Sequence, residues 1–228
     1  CSSDLSSTFR TFSMVWLAAT VAFAQSADHA NMHADHMEHH FDPKESAKSF
    51  DDPARDAWQM PDRVIAALEL KKGQSIADIG AGTGYFSVRL AKSAAHPKVF
   101  AADIEPAMVA YLKDRAAKEK LDNVTPVLAG ANSPNLPEPV DVVLVVDTYH
   151  HIGSRETYFR DLRKSLKPGG RVAIIDFKPD SPEGPPKEFR FPIERFRSEM
   201  EKAGFTLAAQ QTFLPRQVFL IFQASDKH

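Results

Sequence analysis

Only one cysteine, Cys1, occurs among 228 residues, so no disulfide can form within the chain. It stands in Cys1-Ser-Ser-Asp-Leu5, at a start without an initiator Met. Those five residues back-translate to a common sequencing adapter, so residues 1–5 are expected not to be protein sequence, and a lipoprotein cysteine is not expected. Neither charge is in excess: 28 Lys and Arg face 30 Asp and Glu, for a net charge of −2. With no basic stripe, nucleic acid is not the expected partner. No apolar run reaches the roughly 20 residues that a membrane-spanning helix needs. What is present, 43% hydrophobic and 25% charged residues, describes a soluble protein with one sizeable core and N-terminal additions.

Those additions differ in kind. Arg10 precedes an apolar run from Met14 to Ala24, and Ala22-Phe23-Ala24 places small residues where a signal peptidase cuts. Residues 1–24 are therefore expected to be a signal peptide, with the mature chain starting at Gln25 in the periplasm or outside the cell; a misread leader would leave it cytoplasmic. The segment 25–40 is rich in His and Met and holds five of the nine histidines, His29, His33, His36, His39 and His40. Its composition points to adsorbed metal or a solvated tail rather than a defined site, and no metal ligand is assigned. A lead-in, 41–61, carries two Asp-Pro steps, which favour turns, and apolar anchors at Phe50, Trp58 and Met60.

From residue 62 to 228 strands and helices alternate. Apolar runs at 75–79, 98–103, 124–130, 140–147 and 171–177 read as strands. Helices are expected between them: one through about Ala91, one opened by Pro106, and one capped by Ser154 and stopped by Lys167-Pro-Gly-Gly170. A helix from about Ile193 to Ala203 and two strands, 205–213 and 217–224, close the chain. Such alternation predicts a doubly wound parallel α/β sheet, with an antiparallel pair at one end. Ligands bind such sheets beyond the carboxyl ends of the strands.

The first strand runs into Asp78-Ile-Gly80-Ala-Gly82-Thr-Gly84. A dinucleotide turn needs glycine at 85, where Tyr85 stands, and no Lys-Ser/Thr pair makes a P-loop. Asp78 would repel a pyrophosphate, so the turn suits a ligand with an ammonium and ribose hydroxyls, whose carboxylate can approach a helix start. Asp103, closing the second strand, is placed to accept from a ribose diol.

Taken in order, this turn, Ala101-Ala-Asp-Ile-Glu-Pro-Ala-Met108, the segment from Leu136 to Ile152, and Leu166-Lys-Pro-Gly-Gly-Arg-Val-Ala-Ile-Ile-Asp-Phe177 resemble the class I S-adenosylmethionine-dependent methyltransferase family over about residues 62–224. The resemblance implies a three-layer, Rossmann-like sheet of seven strands, mostly parallel with an antiparallel last strand, and S-adenosyl-L-methionine as cofactor. By position it gives Gly80, Gly82 and Gly84 the methionine and ribose side, with Asp78 ordering the turn and the cofactor amine. Asp103 would hold the ribose hydroxyls and Ile104 pack on adenine. Asn132 stands where the family often has an acid for the adenine amino group, and Asp147 and Thr148 would lie by the reacting methyl.

Methyl transfer needs orientation, and a base only where the nucleophile carries a proton. His150 and His151 are the candidate bases, with packing as their alternative role. Trp58 and Gln59 could cap the cofactor, though a structural Trp is the plainer reading. The acceptor is expected to be a small molecule, hydrophobic if Phe189, Phe191 and Phe196 line the pocket; the oligomeric state is left open. Two other readings stand beside this one: a catalytically silent cofactor-binding module, and an exported metal-binding protein acting through its tail. Export also sits awkwardly with a cofactor made in the cytosol.

Overall fold

The computed structural model describes residues 42–225. The adapter-like stretch, the leader and the His/Met tail lie outside the described residues.

Each of the two Asp-Pro steps starts a helical segment. Asp42 accepts a hydrogen bond from the Lys44 amide (2.8 Å) and opens α1 (Pro43–Phe50); Asp52 accepts from Ala54 (2.8 Å) and opens a single 3-10 turn, Pro53–Arg55. An aspartate cap followed by proline at the first helical position satisfies one amide and wastes none. Two further short helices, α2 (Asp56–Gln59) and α3 (Pro61–Ala67), lead into the sheet.

The seven strands are β1 (Ser75–Ile79), β2 (Lys98–Asp103), β3 (Val124–Leu128), β4 (Val140–Val146), β5 (Leu166–Phe177), β6 (Phe205–Gln211) and β7 (Gln217–Ala224). Their order is β3-β2-β1-β4-β5-β7-β6. β1 to β5 pair in parallel, while β7 is antiparallel to both β5 and β6. The connecting helices are α4 (Tyr85–Lys92), α5 (Pro106–Glu119), α6 (Arg155–Leu162) and α7 (Ile193–Lys202).

The central strands are buried on both faces, which is why they read as unbroken apolar runs, while the edge strands β3 and β6 are partly exposed. Along β7, Leu220 and Phe222 enter the core with Tyr149, Phe159 and Phe196, while Phe219 and Ile221 enter the opposite core with Val64, Phe86 and Leu90. That period of two fixes the register, because a one-residue slip would exchange the two sets.

One boundary differs from the sequence expectation. The helix after Ser154 ends at Leu162, and Lys167-Pro-Gly-Gly170 lies within β5, whose first residue pairs with Val140. The pairing shifts register between Val140 and Val142, so the glycines serve an irregular strand rather than a helix stop. Tertiary pairing outweighs the local stop signal there. No helix among the described residues is long and apolar enough to cross a membrane.

Candidate active site

The strand order reverses between β1 and β4, and the loops at the carboxyl ends of β1, β2, β4 and β5 meet there. The glycine turn is fastened to the end of β2. The amides of Gly80 and Ala81 both donate to the Ala102 carbonyl, at 2.8 and 3.0 Å, and the Gly82 amide donates to Asp103 Oδ2 at 2.8 Å. Gly80 has φ +71°, and a Cβ there would strike the Thr148 side chain. Gly82 has φ +54°, and its missing Cβ leaves room for the ring of Phe50 on α1, 3.3 Å away. Only glycine fits both positions. Gly84, at φ +91°, caps the start of α4.

Asp78 is buried at the end of β1 and accepts from Ser87 Oγ on α4 at 2.7 Å, tying the strand to the helix beyond the turn. Burial pushes its carboxyl up to about 6, against the pull of the Ser87 hydroxyl. Asp103 also accepts from the Glu105 amide at 3.0 Å, and burial raises its pKa too. Ile104, next along, is 48% exposed and offers a free apolar face. Asn132 is exposed in the turn closed by Gly130 and Ser133.

Asp147 and Thr148 follow β4. Asp147 has φ +52°, a conformation in which non-glycine residues are uncommon and that clusters at functional sites. It accepts from Arg55 Nη2 at 3.2 Å and from Gln217 Nε2 at the start of β7. Burial pushes its carboxyl up to about 7, with Arg55 opposing and Asp176 adding to the rise. The Thr148 hydroxyl donates to the Val146 carbonyl at 2.9 Å.

The two histidines take different places. His150 is buried, and its Nδ1 lies 2.9 Å from both oxygens of Asp176, the next-to-last residue of β5; its amide also donates to Asp176 Oδ2. A carboxylate accepts, so in the neutral ring this contact selects the tautomer with the proton on Nδ1 and the lone pair on Nε2. His151 is exposed, its ring 4.1 Å from that of His150. Tyr149 is wholly buried, packs on Phe159 and Phe196, and donates to Glu199 Oε2 at 2.6 Å. Phe191 and Phe196 are core residues packed against Tyr149, which corrects the expectation that they line an acceptor pocket.

Residues 76–170 match the methyltransferase domain family. Among solved structures, an S-adenosylmethionine-dependent methyltransferase from Aquifex aeolicus is 28% identical with a TM-score of 0.73, over 80% of this chain and 98% of that one. The stretch 76–170 is thus similar to a methyltransferase domain. The 27-O-demethylrifamycin SV methyltransferase of Amycolatopsis mediterranei is 34% identical over 52% of this chain and 44% of its own length. An uncharacterized methyltransferase from Geobacillus kaustophilus is 28% identical over 58% and 60%. The chain thus spans about half the length of the curated relatives it matches.

The fold is that of the class I S-adenosylmethionine-dependent methyltransferases. Its residues fit that cofactor. Carboxylates with raised pKa at the buried Asp78 and the half-buried Asp147 suit a ligand carrying an ammonium and a sulfonium. Thr83 Oγ1, within the glycine turn, is buried without a hydrogen-bond partner. Asp103 and the exposed Ile104 are adjacent, as a ribose and an adenine would require. Among the described residues no group of three or more His, Cys, Asp or Glu could hold a metal ion.

Three functional positions escaped the sequence reading. Asp176 was legible in principle, as a lone carboxylate closing an apolar strand on the same edge as Asp103 and Asp147. Arg55 and Gln217 were not, because each reaches the site only through tertiary docking. Trp58 packs on Phe177 at 5.8 Å, and Gln59 is buried, donating to Gln217 Oε1 at 2.7 Å. Gln59 therefore braces Gln217, the neighbour of Asp147, and Trp58 is a packing residue.

Proposed function

We propose that the chain is an S-adenosylmethionine-dependent methyltransferase whose acceptor is a small molecule with a protonated nucleophile, and that His150 is its general base. The His150–Asp176 pair carries this reading. An oriented imidazole beside Asp147, at the carboxyl edge of the sheet, has a catalytic use that a packing histidine has not. The bound cofactor supplies an electrophilic methyl on its sulfonium. The glycine turn and Asp103 orient the nucleoside end, and Asp147 and Thr148 bound the space beside the methyl. His150 Nε2 takes the proton of the incoming hydroxyl, thiol or amine, while Asp176 holds the ring and stabilises the imidazolium. His151, exposed, is not assigned the role.

The experiment is methyl transfer from labelled S-adenosylmethionine into a fractionated small-molecule extract. A labelled product supports the reading. Saturable binding of S-adenosylhomocysteine with no product in any fraction would make the protein a silent binding module.

Titration of Asp78 and Asp147 gives a prediction of defined sign. The folded, free protein keeps protons on these groups up to about pH 6 and 7, whereas the unfolded chain has released them by about pH 4. Stability of the free protein therefore falls as pH rises from about 4 to 7. A cationic ligand favours the ionised carboxylates, so affinity for S-adenosylmethionine rises across pH 6–7 with protons released. Calorimetry in two buffers of different ionisation enthalpy reads that release, and S-adenosylhomocysteine, which has no sulfonium, should show less of it. Pairing of Asp147 with Arg55, Gln217, His150 and Asp176 alone predicts no such difference between the two ligands.

We also propose export, supported by Arg10, the apolar run and Ala22-Phe23-Ala24. Fractionation of cells making the native protein tests it; material confined to the cytosol would overturn it.

A further inference from the structure

The site at the sheet edge is built from acids. Asp78, Asp103, Asp147 and Asp176 close β1, β2, β4 and β5, and of these Asp78, Asp103 and Asp176 are no more than 8% exposed. That inventory suits the ammonium and the sulfonium of the cofactor proposed above, but not its carboxylate. A carboxylate brought among four others needs a cation, and the barrel of side chains facing the turn offers few.

Three arginines lie near the turn. Arg115 is spent on Asp51, Glu119 and the Thr83 carbonyl. Arg89 pairs with Asp56, donates to the Tyr85 carbonyl and covers the outer side of the Tyr85 ring. Arg55 alone touches a carboxylate of the site: its Nη2 is 3.2 Å from Asp147 Oδ2, and its charge is felt at Asp78. The guanidinium lies 4.2 Å over the ring of Tyr85, the first residue of α4, whose start has no side-chain cap and by its dipole also favours an anion. Its remaining contacts are neutral acceptors, Gln59 Oε1 and the Phe50 carbonyl. These hold the planar fork in place without neutralising it.

We propose that Arg55 is the carboxylate receptor of this site, pairing with the carboxylate at the amino-acid end of the cofactor. The lead-in segment is then a working wall of the site. Phe50, from the same segment, lies against Gly82, and Asp51 ties the segment to Arg115 and so to the turn itself. The inference rests on the cofactor reading and adds to it the group that recognises one end of the ligand.

Calorimetry with two probes tests it. S-adenosylhomocysteine carries the amino-acid end, and 5′-methylthioadenosine keeps the nucleoside thioether without it. Arg55→Gln should weaken S-adenosylhomocysteine about 10- to 100-fold, the range expected for losing a charged hydrogen bond, and leave methylthioadenosine within about twofold. Retained methylthioadenosine binding reports an intact fold, and Arg55→Lys should recover part of the loss. Equal weakening of both probes would make Arg55 a packing residue and overturn the proposal; so would unchanged S-adenosylhomocysteine binding by Arg55→Gln. If the unaltered protein binds neither probe, the cofactor reading itself falls and takes this one with it.

Discussion

Replacing His150 by alanine should lower kcat for methyl transfer by about 10²- to 10⁴-fold, the range removed with a positioned general base. The dissociation constant for S-adenosylhomocysteine should stay within about twofold, since no cofactor group is assigned to the imidazole. Asp176→Asn separates orientation from bulk. An amide keeps the shape but can donate as well as accept, so it no longer fixes the proton on Nδ1. We expect a smaller fall in kcat, with the acidic limb of the pH–rate profile, where the base is protonated, displaced; a purely structural carboxylate would not do that. Unchanged kcat in His150→Ala, with an acceptor found by the labelled-transfer experiment, would return His150 to a packing role.

Substitution of Gly80 by alanine should be the most damaging single change in the turn. At φ +71° a side chain costs about 1–2 kcal/mol of backbone strain. The new Cβ would also meet Cβ, Cγ2 and Oγ1 of Thr148, an overpacking worth about 1–3 kcal/mol. Urea denaturation should show the sum as a lowered midpoint with an unchanged slope, and cofactor binding should be lost. A second change, Thr148→Gly, removes the collision but not the strain. The double variant should therefore be less destabilised than the two single effects added together. Equality with the unaltered protein would mean that the turn can move aside.

The centre of the sheet was legible because its strands are covered on both sides. Short continuous apolar runs such as Val140–Val146 and Val218–Phe222 suit strands covered on both faces, and β1 and β2 begin and end where the runs do. The candidate site was legible for a related reason: Gly80, Asp103 and Asp147 lie at strand ends, where a break in an apolar run marks the edge of the sheet. What stayed hidden depends on contacts between distant segments. Arg55 reaches Asp147 across 92 positions and Gln59 reaches Gln217 across 158, and no local pattern encodes either meeting. Asp176 is intermediate, since its place on the strand was visible but its partner among two adjacent histidines was not.

β7 is the last strand in sequence, yet it lies inside the sheet between β5 and β6. Its first residue, Gln217, reaches both Asp147 and Gln59. A nascent polypeptide that has emerged from the ribosome only as far as β6 already holds the glycine turn and the histidine–aspartate pair, but β6 has no neighbour to zip onto. The finished edge must wait for β7 to emerge, so the candidate site is completed late and nearly all at once.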